Sequence, residues 1–131
     1  MITAIDTSVL IDVIGQKERT IQDLASLGEE GRLIICEIVY AELSAGMSSS
    51  KLGHFLSDFH VEFVESGKEA LSLAGSLWRQ YVINEGRRGR LIADFLIGAH
   101  AQIHAQRLFS QDRGFYRQYF KGLKVIDSSF N

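Results

Sequence analysis

The sequence predicts a three-layer α/β/α sandwich with a mainly parallel central sheet, and two observations support this fold class. Short apolar runs alternate along the chain with longer segments whose apolar residues recur at helical spacing, as in strands joined by crossover helices. The chain has 131 residues, which is enough for one domain with a substantial core and too few for two. We therefore expect residues 1–131 to form a single domain.

The composition is typical of a globular protein. Hydrophobic residues make up 46% of the sequence and charged residues 23%, which argues against a disordered chain. No apolar run approaches the roughly 18–20 residues that span a bilayer, and no signal peptide precedes the first predicted strand. Cys36 is the only cysteine, so an internal disulfide is impossible, and we expect a buried, inert thiol in a cytoplasmic protein without a membrane partner.

The opening stretch predicts a strand that gives way to a helix. Residues 2–5 form an apolar run that stops at Asp6, and apolar residues resume at Val9, Leu10 and Val13 with helical spacing. A glycine shortly afterwards would end this helix. Asp6 is therefore expected at the carboxyl end of a strand, which is the edge of an α/β sheet where ligands bind.

The middle of the chain repeats this alternation. Residues 17–30 place Ile21, Leu24 and Leu27 on one helix face, with glycines at the end of the segment. Residues 33–36 are continuously apolar, as in a buried strand. Apolar spacing then predicts helices over 37–45 and 49–59 and a strand over 61–64, and serines before the second helix are expected to cap it.

The last third of the chain continues in the same order. Residues 68–84 form a long amphipathic pattern that includes Leu71, Leu77 and Trp78. Residues 91–106 predict a further helix that is unusually apolar around its single early acid. The remaining predicted elements are a strand over 108–109, a helix over 115–120 and a strand over 125–126.

Charge is distributed unevenly along the chain, although the formal net charge is only −2. Residues 1–86 carry 6 basic and 13 acidic side chains, whereas residues 87–131 carry 8 basic and 3 acidic ones. Such asymmetry is compatible with a surface that faces a polyanion. It permits a nucleic-acid partner without requiring one.

Four carboxylates stand out because they follow a predicted strand or have apolar neighbours. Asp6 and Asp112 follow predicted strands, and parallel strands would bring both to the same edge of the sheet. Asp94 and Glu42 lie among apolar residues, where a carboxylate is costly to bury unless a positive charge compensates it. Taken singly, each acid has an ordinary alternative as a helix cap or a solvated side chain.

As a set, the four acids indicate a metal site. Converging carboxylates raise one another's pKa unless a cation joins them, and oxygen ligands favour Mg²⁺ or Mn²⁺ over zinc. Such a site suits phosphodiester hydrolysis. His100 and His104 are spaced i, i+4, but no glutamate follows His100 as in H-E-x-x-H, so we expect packing histidines.

Motif order gives a more specific indication. The sequence contains D-T-S-V-L-I-D after the first strand, then V-Y-A-E-L-S-A-G, then I-A-D-F-L-I-G-A-H-A, and finally F-S-Q-D-R-G-F. Each motif is weak alone, but together they span essentially the whole chain. In this order and spacing they resemble the PIN-domain ribonucleases, especially the VapC-type toxins of bacterial and archaeal toxin–antitoxin pairs.

The resemblance implies an endoribonuclease that cuts single-stranded RNA, uses Mg²⁺ or Mn²⁺, forms a homodimer and is inhibited by a cognate antitoxin. It assigns the catalytic, metal-binding acids to Asp6, Glu42, Asp94 and Asp112, with supporting hydroxyls on Ser8 and Ser110. Members of the family dispense most readily with the last acid, which here falls on Asp112.

Candidate RNA contacts come from the basic residues near these acids. Arg87, Arg88 and Arg90 precede the helix of Asp94, and Arg113 follows Asp112 directly. Their positive charge suits phosphate contacts, and a solvated basic loop is the alternative.

Other functions compete with the nuclease. A haloacid-dehalogenase-type phosphatase needs D-x-D, whereas the residue two after Asp6 is Ser8. A receiver domain needs paired acids at the first strand end, which are absent. A PIN nuclease that processes RNA outside any toxin–antitoxin pair, and a non-catalytic RNA- or protein-binding module of the same fold, remain as alternatives.

Overall fold

The computed structural model describes residues 1–85 and 92–128, and in this part of the chain a five-stranded sheet has helices packed around it. The strands are β1 (Ile2–Ile5), β2 (Arg32–Ile35), β3 (Val61–Phe63), β4 (Arg107–Phe109) and β5 (Lys124–Ile126). The helices are α1 (Thr7–Ile14), α2 (Glu18–Glu30), α3 (Glu37–Ser44), α4 (Ser49–Asp58), α5 (Gly67–Glu85), α6 (Ile92–His104) and α7 (Arg113–Tyr119). The predicted α/β/α class is confirmed, and the elements end within two residues of their predicted bounds.

The order of the strands creates a crevice at one edge of the sheet. The strands lie in the order β3-β2-β1-β4-β5, and each neighbouring pair is parallel. The chain builds outward from β1 through β2 to β3, and then returns to place β4 on the other side of β1. Ligands bind outside the carboxyl ends of the strands where such an order reverses. That point lies between β1, which Asp6 follows, and β4, which Ser110 follows.

An aromatic cluster fixes the position of α6. Phe95 is fully buried and makes edge-on or tilted contacts with Tyr81 of α5 and with Phe115 and Tyr119 of α7, at centroid distances of 5.5, 5.2 and 5.7 Å. Gly98 lies so close to a phenylalanine ring after α7 that a Cβ atom there would be 2.4 Å from it. Close packing therefore holds α6, and with it Asp94, against the rest of the core.

The two histidines of α6 join it to the loop after β3. His100 Nε2 lies 2.8 Å from the carbonyl oxygen of Val64, and His104 Nε2 lies 2.6 Å from that of Ser66. Ser66 in turn donates from its hydroxyl to Glu37 Oε1 at 2.6 Å, at the start of α3. The prediction of packing histidines is confirmed, and these bonds connect the helices that carry Glu42 and Asp94.

No helix in residues 1–85 and 92–128 combines the length and the apolar character needed to cross a membrane. The predicted buried thiol is confirmed, because Cys36 is in the core and burial raises its pKa to about 11. A thiol with so high a pKa is protonated at neutral pH and is a poor nucleophile.

Candidate functional site

Asp6 is the most buried of the four predicted carboxylates. It lies at the N-cap position of α1, only 6% of its surface is exposed, and its Oδ1 accepts the backbone N–H of Thr7 at 2.8 Å. Its Oδ2 accepts the hydroxyls of Ser110 at 2.6 Å and of Ser8 at 3.1 Å. Three donors from two segments of the chain thus hold the Asp6 carboxylate in one orientation.

Burial controls the ionisation of this group. It raises the pKa of Asp6 above the usual 3.8, and the nearby charge of Glu42 acts in the same direction. The hydrogen bonds from Ser110, Ser8 and Thr7 oppose this rise, because they favour the charged carboxylate. The ionised form of Asp6 is therefore costly in the protein alone, and a bound cation would compensate its charge.

Glu42 lies beside Asp6 through a single intervening residue. The Thr7 hydroxyl donates to Glu42 Oε1 at 2.5 Å, which joins α3 to the start of α1. The expectation that Glu42 is buried among apolar residues is wrong, because its side chain is exposed. Its apolar neighbours in the sequence face other sides of α3, and Val39 and Leu43 fill the core instead.

The two predicted supporting hydroxyls bind the segment after β4. Ser110 Oγ accepts the backbone N–H of Asp112 at 2.9 Å while donating to Asp6, and Ser8 Oγ accepts the N–H of Gln111 at 3.1 Å. Each hydroxyl therefore acts as both a donor and an acceptor. This arrangement fixes residues 110–112 against the carboxyl end of β1.

The remaining two acids lie on other helices. Asp94 is the third residue of α6 and Asp112 occupies the N-cap position of α7, and both are partly exposed. Each makes interactions of its own. Within the described ranges, no three histidine, cysteine or acidic side chains are grouped closely enough to hold a metal ion. The structure thus joins Asp6 to Glu42 and to the segment of Asp112, and the four-acid metal site stays a prediction.

The donor chemistry of this edge nevertheless suits a hard divalent cation. The groups around Asp6 are carboxylate and hydroxyl oxygens, without sulfur or imidazole. Oxygen donors of this kind favour Mg²⁺ or Mn²⁺. Burial and the adjacent charge of Glu42 both raise the pKa of Asp6, so its ionised form is costly, and such an ion would stabilise that form.

The predicted RNA contacts are only partly visible. Arg87, Arg88 and Arg90 lie outside the described residues. Arg113 Nη1 lies 3.4 Å from Asp127 Oδ1, so its charge is shared with a carboxylate near the end of the chain. Its role as a phosphate contact stays a prediction.

Sequence reasoning missed Thr7 and Gln111. Thr7 follows the first acid directly, and that position was the available signal, but its contact with Glu42 depends on the approach of α3. Gln111 offered no signal, because its contacts with Ser8 and Asp12 join residues about a hundred positions apart along the chain.

The protein matches one family model and is similar in fold to several solved structures. Residues 3–121 match the family model described as PIN domain. The protein is also similar to a chain in the crystal structure of VapBC2 from Rickettsia felis, which is bound to a DNA fragment from their promoter. The TM-score is 0.78 at 23% identity, and the match covers 97% of this chain and 98% of that one. No curated protein matches the sequence significantly.

Two further solved structures share this fold. A chain of VapBC-1 from nontypeable Haemophilus influenzae gives a TM-score of 0.72 at 19% identity, covering 98% of this chain and 99% of that one. A chain of FitAcB from Neisseria gonorrhoeae gives 0.69 at 21% identity, covering 98% of each chain. At these identities the similarity establishes a common fold across nearly the full length of the chain.

Proposed function

Because the chain belongs to the PIN domain family, we propose that it is a metal-dependent endoribonuclease and the toxin of a toxin–antitoxin pair. The observation that supports this most directly is the buried Asp6 carboxylate between β1 and β4. Two serine hydroxyls orient it, and Glu42 lies beside it. The charge of Glu42 opposes ionisation of Asp6, which a purely structural pair would not require.

In this proposal Mg²⁺ or Mn²⁺ is held by four acids, Asp6, Glu42, Asp94 and Asp112. The hydroxyls of Ser8 and Ser110 keep the Asp6 carboxylate in position. When bound there, the cation supplies Lewis-acid stabilisation of negative charge on the phosphate oxygens during hydrolysis. Thr7 positions Glu42 by its hydrogen bond. Orientation of this kind matters because an outer hydrogen-bond partner tunes both the geometry and the basicity of a metal ligand.

The proposed partners follow from the same similarity. The structures reported above are of VapBC and FitAcB proteins, and another similar chain belongs to a toxin–antitoxin complex from Klebsiella pneumoniae. We accordingly propose a cognate antitoxin for this chain, a homodimeric assembly, single-stranded RNA as substrate and a cytoplasmic location. Residues 1–131 would act as one catalytic domain.

Metal dependence tests the proposal directly. Purified protein free of antitoxin should cleave a pool of structured RNAs in Mg²⁺ or Mn²⁺ and lose this activity in EDTA, and excess Mg²⁺ should restore it. The cuts should fall in loops or single-stranded segments. Absence of cleavage with either metal, from protein shown to be folded, would contradict the nuclease assignment.

Removal of the Ser110 hydroxyl should weaken catalysis and change its pH dependence. We expect Ser110→Ala to lower cleavage roughly 10- to 100-fold, as losses of groups that orient metal ligands do. The hydroxyl favours the ionised form of Asp6, so its loss should raise the pKa of Asp6 further. The acidic limb of the pH–rate profile should therefore move to higher pH.

The matched control is Ser72→Ala, at an exposed position of α5. It should leave both the rate and the pH profile unchanged. A Ser110→Ala protein with a normal rate and an unmoved acidic limb would show that Ser110 does not act through Asp6.

A further inference from the structure

A groove of about 490 Å³, lined by residues with polar or charged side chains, opens next to the proposed catalytic site. We call it the α1–α2 groove, because Ser8 and Asp12 of α1 and Lys17 and Arg19 at the start of α2 line one part of it. Gln111, after β4, lines another part. The volume is within the range of about 300–1,000 Å³ that is usual for ligand sites. It is large enough for one nucleotide unit.

The groove and the catalytic site share a wall. The Ser8 hydroxyl donates to Asp6 Oδ2 at 3.1 Å and accepts the backbone N–H of Gln111 at 3.1 Å, and both Ser8 and Gln111 line the groove. A strand of RNA whose phosphate reaches Asp6 would therefore have its neighbouring nucleotide at the mouth of this groove.

Asp12 organises the polar groups of the groove. Its Oδ1 lies 3.3 Å from Lys17 Nζ, and its Oδ2 accepts the side-chain amide of Gln111 at 3.0 Å. The same Gln111 nitrogen donates to Ser128 Oγ at 2.7 Å. These bonds hold the groove in shape before any ligand arrives, which lowers the entropic cost of binding.

Two cations at the groove keep donors available for a ligand. Arg19 Nε donates to Asp23 Oδ1 at 3.3 Å, and in the described residues its terminal nitrogens have no hydrogen-bond partner. The side chains of Lys17 and Arg19 are 67% and 53% exposed, respectively. The planar edge of a guanidinium and a nearby ammonium group are well suited to a phosphate.

We propose that the α1–α2 groove binds the nucleotide adjacent to the cleaved bond of single-stranded RNA. Lys17 and Arg19 contact its backbone phosphate. Gln111 uses its side-chain N–H groups within the groove, so it offers its side-chain oxygen to the sugar or base. This inference rests on the proposed ribonuclease function. It adds an RNA contact surface on the α1–α2 side of the site, separate from the predicted arginines at 87, 88, 90 and 113.

Binding in EDTA tests the groove without any need for catalysis. A labelled, unstructured RNA oligonucleotide is titrated with the protein, with Lys17→Gln/Arg19→Gln, and with the control Lys51→Gln/Lys68→Gln. The control removes two exposed lysines on α4 and α5 and changes the net charge by the same amount. Fluorescence anisotropy is measured over a series of salt concentrations.

We expect the groove variant to bind at least about tenfold more weakly than the control. The slope of the logarithm of the binding constant against the logarithm of the salt concentration should also become shallower. Each lost phosphate contact on a single strand lowers the magnitude of this slope by about 0.7, so the loss of two contacts should lower it by about 1.4. Asp12→Asn keeps a side-chain oxygen that can accept the Gln111 amide, so the groove should retain its shape, and it releases Lys17 for the phosphate. This substitution should therefore have the opposite effect. Removing one screened negative charge near the phosphate should raise RNA affinity roughly two- to threefold.

The outcomes separate this inference from the function on which it rests. If the unmodified protein binds and cleaves RNA while the groove and control variants bind equally, the groove assignment is overturned and the nuclease stands. If the unmodified protein neither binds nor cleaves RNA, the proposed function fails and the groove assignment fails with it. A gain of affinity in Asp12→Asn is a result that a purely structural role of these residues would not produce.

Discussion

Asp6→Asn should lower RNA cleavage by about a thousandfold or more while leaving the protein folded. Asparagine is nearly isosteric with aspartate and keeps an oxygen for the N–H of Thr7, so the helix start is preserved. It removes the charge that the proposed metal site requires. A loss of about 4 kcal/mol of transition-state stabilisation, which is within the effect of a metal ion, corresponds to about a thousandfold in rate.

The same substitution should change how the stability of the metal-free protein depends on pH. Burial raises the pKa of Asp6 above 3.8, so the folded state binds this proton more tightly than the unfolded state does. The contribution of Asp6 to stability is therefore most favourable at pH values below 3.8 and is lost as the pH rises through the raised folded-state pKa. Asparagine carries no charge and avoids this loss.

Urea unfolding in EDTA measures this effect. The unfolding free energy of Asp6→Asn minus that of the unmodified protein should be more favourable at pH 7 than at pH 4. Asp58→Asn, at an exposed position of α4, is the matched control and should show little gain at either pH. An Asp6→Asn protein that cleaves RNA normally, or one whose gain in stability does not depend on pH, would contradict the role assigned to Asp6.

This combination of effects indicates how the fold serves the site. The elements around the carboxyl end of β1 remove the Asp6 carboxylate from water, which makes its ionised form unfavourable. Hydrogen bonds from Ser8, Ser110 and Thr7 offset only part of this desolvation cost. A divalent cation would offset the remaining desolvation cost, so its binding would stabilise the folded protein. We therefore expect Mg²⁺ or Mn²⁺ to stabilise the unmodified protein and not Asp6→Asn.

The sequence predicted those parts of the structure that local patterns determine. The abrupt end of the apolar run at Asp6 placed it correctly at a strand end, and the alternation of strands and helices gave the parallel sheet. The exposure of Glu42 was not predictable, because it depends on the rotation of α3 against the sheet. The contacts of Thr7 and Gln111 depend on the approach of segments far apart in the sequence.

Asp94→Asn should lower Mg²⁺-dependent cleavage roughly 100- to 1,000-fold, as expected for the loss of a charged metal ligand. Asp94 is partly exposed and precedes the fully buried Phe95, so the aromatic packing that fixes α6 does not depend on its charge. Urea unfolding of this variant, measured beside cleavage, separates the loss of a ligand from a loss of folding. Affinity for Mn²⁺, measured by calorimetry, should fall together with activity.

Asp112→Asn is the informative comparison for Asp94→Asn, because it removes the other partly exposed acid of the set by the same isosteric change. The contact of residue 112 with Ser110 uses its backbone N–H, which the substitution preserves, so the orientation of Asp6 should be unaffected. We expect a loss of only about tenfold, comparable to the loss of a supporting group rather than a principal ligand. Unchanged cleavage and unchanged Mn²⁺ affinity in Asp94→Asn would remove Asp94 from the metal site, and the site would then be centred on Asp6 and Glu42, the pair that the structure brings together.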